Sequence, residues 1–160
     1  LLVAESPRGL CHLSFQEQLP SNPEAVPPLL SQDWPLASFL PSPELAQRLL
    51  PQLFHLSPRF PAPSPLRAYV RGSSFQVKVW RALLRIPPGH LVSYGQLARH
   101  IQHPRAIRAL GSAVARNPLA CLIPCHRVIR ETGLFGHYRW NPTRKQALIA
   151  WEGSRTTLPP

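Results

Sequence analysis

Twelve of the chain's 21 prolines fall between Pro20 and Pro65. Each fixes its own φ, removes a backbone donor and costs about 3 kcal/mol in a helix interior. In a central strand each would break the hydrogen-bond ladder. No long helix and no wide sheet fits across such a stretch, so regular structure there reduces to short pieces. Two strands are predicted ahead of it, Leu1–Glu5 and Gly9–Phe15, joined by a Ser6-Pro7-Arg8-Gly9 turn. Residues 16–42 read as an irregular loop. Pro43–Leu53 reads as one helix, with Ser42 as N-cap and Leu45, Leu49 and Leu50 as its apolar face. A second proline-rich loop, Ser57–Pro65, leads into a short strand, Leu66–Val70. Residues 1–71 are expected to form a small α/β domain with no evident chemistry of its own.

At Gly72 the pattern changes. Phe75–Leu84 places Phe75, Val79 and Leu83, with Trp80 and Leu84, on one helical face. Ser73 or Ser74 caps this helix, and Pro87-Pro88-Gly89 stops it. Ser93 caps a second helix, Tyr94–Ile101, with Leu97 and Ile101 turned inward. His103-Pro104 opens a third, Arg105–Arg116, with Ile107, Leu110 and Val114 on its apolar side and Arg105, Arg108, Ser112 and Arg116 on the other. Two short helices in sequence, the second lined with arginines, is the pattern of a helix-turn-helix. Ala109, Gly111, Ser112 and Ala113 give that helix a run of small residues. They suit either tight helix–helix packing or close approach to a DNA groove. A last helix is expected over Thr143–Trp151. The fold class is α+β, with residues 72–160 as the second domain.

Charge separates the two parts. Residues 1–65 carry three bases and five acids, a balance of −2; residues 66–160 carry fifteen bases and two acids, Glu131 and Glu152, a balance of +13. So one-sided a segment repels itself unless it meets a polyanion, and nucleic acid leads over a merely basic soluble surface or a membrane-surface protein. No apolar run approaches the ~18–20 residues of a membrane helix, and Leu1-Leu2-Val3-Ala4 is too short for a signal peptide's apolar region. The absence of methionine suggests a domain cut from a longer product. Three cysteines, Cys11, Cys121 and Cys125, suit free thiols in a reducing, cytoplasmic setting.

The densest chemistry lies in Leu119–Ile129. There Pro124-Cys125-His126-Arg127 puts a thiol beside an imidazole and a guanidinium. Positive charge favours thiolate, so the thiol is expected to titrate below its ordinary ~8.5. Thiolate is the nucleophile, and neutral His126 can take its proton. A carboxylate would orient the ring; Glu152 suits this better than Glu131, which follows a turn. The alternative for Cys125, and the expectation for Cys121, is a buried structural cysteine. Cys121, Cys125 and His126 are spaced poorly for zinc, so no metal is expected.

Ile123-Pro124-Cys125-His126-Arg127-Val128-Ile129 resembles the signature of the O6-alkylguanine-DNA alkyltransferases. Gly72-Ser73-Ser74-Phe75-Gln76, Trp80, Ile86-Pro87, Ser93-Tyr94, Arg105–Ala109, Arg116-Asn117-Pro118 and Arg144-Lys145 follow the same family's order and spacing. Leu2–Ser6 with Gly9–Cys11 resembles its amino-terminal hairpin. Gly136–Trp140 is most similar to the carboxy-terminal domain of the bacterial adaptive-response (Ada) type. The resemblance implies a ribonuclease-H-like first unit and a winged-helix-like second one. It also implies single-use transfer of an alkyl group from O6 of guanine to Cys125, without a cofactor. His126, reached through a water, and Glu152 would complete the relay. Tyr94 would turn the 3′ phosphate and donate to the purine, and Arg108 would fill the hole left by the flipped nucleotide. Arg105, Ser93, Ser112 and Arg116 would add DNA contacts. Asn117, Pro124, Arg127, Val128 and Tyr138 would form the hinge and pocket. Bulk at Arg139-Trp140-Asn141 would narrow that pocket against large alkyl groups. The implied partner is the minor groove of double-stranded DNA bearing O6-alkylguanine, met by a monomer in the bacterial cytoplasm, at the nucleoid, away from membranes. Two other outcomes stay open: a non-catalytic lesion-recognising module, of a kind that replaces the reactive cysteine, and the repair domain of a larger transcriptional regulator.

Overall fold

The computed structural model describes residues 1–17, 25–53 and 66–156. They form a mixed α/β structure with two small sheets and six helices among the described residues. The chain divides into two compact units, Leu1–Arg71 and Gly72–Pro160.

In the first unit β1 (Leu2–Ser6) pairs antiparallel with β2 (Gly9–Ser14), and β2 is buried along its whole length. The irregular loop expected over residues 16–42 is corrected by a helix, α1 (Pro28–Asp33). Its prolines start it rather than prevent it. Pro28 stands in the first turn, where no backbone donor is needed, and Leu30 is buried beneath it. α2 covers Pro43–Leu53. Leu49 is buried, but Leu50, a 100° step round the helix, turns outward. The strand expected at Leu66–Val70 reduces to one parallel bridge, Leu10 to Ala68, with Leu10 N–H on the Arg67 carbonyl and Tyr69 N–H on the Leu10 carbonyl, both at 2.8 Å. Gly9 permits this crossing: its φ is +133°, and a Cβ there would lie 2.5 Å from the Arg67 carbonyl oxygen. The expected Ser57–Pro65 loop lies outside the described residues.

The second unit is built on α3 (Ser74–Leu83), α4 (Tyr94–His100), α5 (Ile107–Ala115) and α6 (Pro142–Thr156). Ser73 with Gln76, and Ser93 with Gln96, form reciprocal capping boxes that set the starts of α3 and α4. α3 buries Val79, Trp80, Ala82 and Leu83, while Leu84, already past the last turn, is exposed. α5 begins two residues later than expected, because His103–Ala106 closes as a turn. Arg105 and Arg116 therefore flank the helix, Ile107 is half exposed, and the inward side is Leu110, Ala113 and Val114. α6 runs past Trp151, so Glu152 lies inside a helix rather than at its end. A parallel pair not anticipated from sequence, β3 (Val92–Ser93) with β4 (Val128–Ile129), brings the start of α4 to the chain that follows Cys125.

Trp80 holds α3 to α5 through its indole N–H on the Ala113 carbonyl, at 2.9 Å. A Cβ on Gly72 would lie 2.7 Å from the far edge of that anchored ring. Gly72→Ala is therefore expected to destabilise the protein by about 1–3 kcal/mol, the scale of overpacking against a held side chain. Urea unfolding should show a lower midpoint at unchanged slope.

Candidate active site

Asn117, at the end of α5, is completely buried. Its Oδ1 accepts from Leu119 N–H (2.9 Å), while its Nδ2 faces the carbonyls of Leu119 (3.2 Å) and Ile123 (2.7 Å) and the Cys125 sulfur (3.1 Å). One side chain thus organises the turn between α5 and the thiol. Cys121, inside that turn, has φ +63°. After Pro124, residues Cys125–Arg127 form a single 3-10 turn. Successive side chains in such a turn point about 120° apart.

Cys125 is 4% exposed and His126 1%. His126 Nε2 meets Glu152 Oε1 at 2.9 Å. An ionised carboxylate can only accept, so Nε2 carries the proton and Nδ1 bears the lone pair. Nδ1 is buried and has no hydrogen-bond partner among the described residues. Glu152 also accepts from Arg127 Nε (2.9 Å), Arg127 Nη2 (2.7 Å) and Gly89 N–H (3.3 Å). Burial alone would raise its pKa, but the hydrogen bonds and charges of His126 and Arg127 prevail and bring it down to about 2.

The depressed thiol pKa expected from sequence is corrected. Burial pushes the Cys125 thiol above its ordinary range, and the Asn117 amide and the charge of Lys145 offset this only in part. The reason is geometric. Arg127, adjacent in sequence, turns its guanidinium to Glu152 and to the Ile86 carbonyl. Burial likewise carries Cys121 up to about 12.

A pocket opens above Cys125, lined by Tyr94, Val114, Tyr138, Trp140 and Lys145 among others. Trp140 meets Tyr138 edge-on, with ring centroids 5.3 Å apart. Burial, and then the charge of an ionised Cys125, hold the Tyr94 phenol above its usual pKa, so Tyr94 keeps its proton. Lys145 was not singled out as a site residue. It is 1% exposed, its Nζ donates to the Val128 and Phe135 carbonyls at 2.6 Å each, and burial lowers its pKa to about 8. Its seven-residue spacing from Glu152, two turns of one helix, was the available signal.

Cys125, Tyr94, Tyr138 and Asn117 thus meet on one side of the turn, with His126, Arg127 and Glu152 on the other. Pro124 and Val128 are buried as well. Arg127 does not line the pocket. Ser93 is buried, and its hydroxyl accepts the cap bond from Gln96. Arg105, Arg108, Ser112 and Arg116 are exposed. A Cβ on Gly111 would meet nothing within 4 Å, so tight packing does not account for that glycine.

Residues 74–154 match the family model described as 6-O-methylguanine DNA methyltransferase, DNA binding domain. The bifunctional transcriptional activator/DNA repair enzyme Ada of Escherichia coli K12 is 40% identical over 151 residues, 94% of this chain and 42% of that protein. A methylated-DNA–protein-cysteine methyltransferase of Mycobacterium tuberculosis is 48% identical over 86 residues, 54% of this chain and 52% of the other. The chain thus spans about half or less of these curated relatives. The crystal structure of Mycobacterium tuberculosis OGT in complex with DNA superposes with a TM-score of 0.73 at 32% identity, covering 96% of this chain and 86% of that one.

Proposed function

The chain belongs to the O6-methylguanine-DNA methyltransferase family, and from that premise we propose that it repairs DNA by moving an alkyl group from O6 of guanine onto its own Cys125. The observation that carries this is the buried Cys125 in a pocket, beside a histidine whose Nε2 is committed to Glu152 and whose Nδ1 is left as an acceptor.

The steps follow from that arrangement. Nδ1 takes the thiol proton through a bridging water, and Glu152 stabilises the imidazolium that results. The thiolate attacks the alkyl carbon; the S–C bond forms as the C–O6 bond breaks, and the electron pair stays on the purine. Tyr94 hands its phenolic proton to the leaving guanine. The product is a thioether, which does not leave sulfur, so each molecule acts once. No cofactor enters. Trp140, packed on Tyr138, limits the alkyl groups that fit.

An alkylated O6 lies inside the stack, so the nucleotide must be extruded. α4 and α5 act as a helix-turn-helix laid in the minor groove of double-stranded DNA. The open small-residue face of α5 supports close approach, and Arg108 enters the vacancy. Arg105, Ser93, Ser112 and Arg116 contact the backbone around it, and Asn117 is the hinge to the active-site turn. The same reading takes residues 1–71 as a ribonuclease-H-like domain and 72–160 as a winged-helix-like one, working as a monomer at the bacterial nucleoid. A second reading, the repair domain of a larger regulator, is favoured by the chain's match to only 42% of an activator that is also a repair enzyme.

The deciding measurement is intact and peptide mass after incubation with a duplex holding one O6-methylguanine. A gain of about 14 Da on the Cys125 peptide is expected, one methyl replacing one hydrogen. Tight lesion binding without mass gain would instead indicate a recognition module.

A further inference from the structure

We infer that Arg127 is a positioning residue for this reaction, holding and charge-balancing Glu152 so that His126 stays neutral with its Nδ1 lone pair available. This rests on the alkyl-transfer reading above. Every nitrogen of the Arg127 guanidinium is engaged inside the protein: Nε with Glu152 Oε2, Nη2 with Oε1, and Nη1 with the Ile86 carbonyl. The side chain is 11% exposed. It is therefore turned neither into the pocket nor toward a phosphate.

The carboxylate it holds is 6% exposed, and a charge so buried must be matched. The groups around Glu152 identify what can match it. From the active-site turn come His126 and Arg127. From the turn after α3 comes the Gly89 N–H, a dipole; nearby His90 is exposed and its Nδ1 faces the Pro88 carbonyl. On α6 itself, the Lys145 ammonium is committed to the Val128 and Phe135 carbonyls. Cys121 and Cys125 are thiols, whose ionisation would add negative charge. Without Arg127, His126, already in contact with Oε1, can supply a positive charge by taking a proton at its unpartnered Nδ1. An imidazolium has no lone pair with which to accept the thiol proton. The guanidinium also ties α6 to the Ile86–Gly89 turn, which fixes the direction of the carboxylate.

The test compares Arg127→Met, Arg127→Lys and wild type in single-turnover transfer across pH, with binding to undamaged duplex measured against salt. Arg127→Met should lose about tenfold or more at neutral pH, the scale of a disabled proton acceptor. Its pH–rate midpoint should rise by about 1–3 units, with activity returning as His126 deprotonates. Arg127→Lys keeps the charge but not the fork, so its midpoint should stay near that of wild type at a moderately lower rate. Affinity and salt slope should not change in either. A wild-type midpoint in Arg127→Met at reduced rate would make the residue merely structural and overturn the inference. So would a salt slope lower by about one, the mark of a lost phosphate contact. Should Arg127→Met not fold, the double variant with Glu152→Gln removes the charge that needs matching and should restore thermal stability; a double variant as unfolded as the single one overturns the charge-balance role. If wild-type Cys125 gains no alkyl group, the alkyl-transfer reading itself fails. If it does and Arg127→Met keeps the wild-type profile, only the role of Arg127 fails.

Discussion

Cys125→Ala should abolish alkyl transfer while leaving the affinity for duplex DNA nearly unchanged. Cys125 is 4% exposed and lines the pocket, so it contributes no phosphate contact. On the alkyl-transfer reading, what it contributes is the acceptor of the alkyl group. Cys121, the other thiol nearby, does not line that pocket, and burial pushes it up to about 12. Loss of label from an alkylated duplex and a gel shift, run side by side, separate the two properties. Transfer at the wild-type rate in Cys125→Ala would move the site to Cys121. The wild-type rate should also rise with pH through the neutral range. Burial raises the Cys125 thiol, so its ionised fraction is still growing there.

Arg108→Ala should slow repair of duplex DNA about tenfold to hundredfold while barely affecting reaction with the free O6-alkylguanine base. A free base needs no extrusion and reports only on the pocket and on Cys125. A base in a duplex must first leave the stack, and Arg108, exposed on α5 beside unpacked small residues, is placed to hold the vacancy open. Losing it should cost about 1–3 kcal/mol of flipped-state population, the scale of unstacking one base, which sets the rate loss given above. Equal slowing on both substrates would mean that Arg108 supports the pocket. A small loss of affinity, recovered at low salt, would mean that it is only a surface charge.

The starts of α3 and α4 are legible in their cap serines, with Ser73 and Ser74 left open for α3; the glutamine three places on is the further signal that closes each capping box. Glu152 was legible as the partner of His126 because the basic half offers only two acids. The β3–β4 pair was not, since two-residue strands have no periodicity and pair across a long loop. α1 was missed because proline counts as a breaker everywhere except in a first helical turn. The thiol's environment is not legible in the same way, because neighbours in sequence are not neighbours in space here. In a 3-10 turn Cys125, His126 and Arg127 diverge, and the nearest written cation serves a different anion.

The inward claim on Glu152 also bears on how the protein would reach its target. With that carboxylate and Arg127 cancelling each other below the surface, the exterior of the second unit presents Lys78, Arg81, Arg85, Arg99, Arg105, Arg108, Arg116, Arg130, Arg139 and Arg155 against one exposed acid, Glu131. Such a monopolar shell steers a protein toward a polyanion from a distance, lifting encounter rates toward ~10⁸–10⁹ M⁻¹s⁻¹ at low salt. It also lets the protein slide and hop over undamaged sequence between captures. On the alkyl-transfer reading each molecule is spent in a single reaction, and the rate of repair is then set by the search as much as by the chemistry. Adding a second exposed carboxylate near α5 would slow that search without touching Cys125.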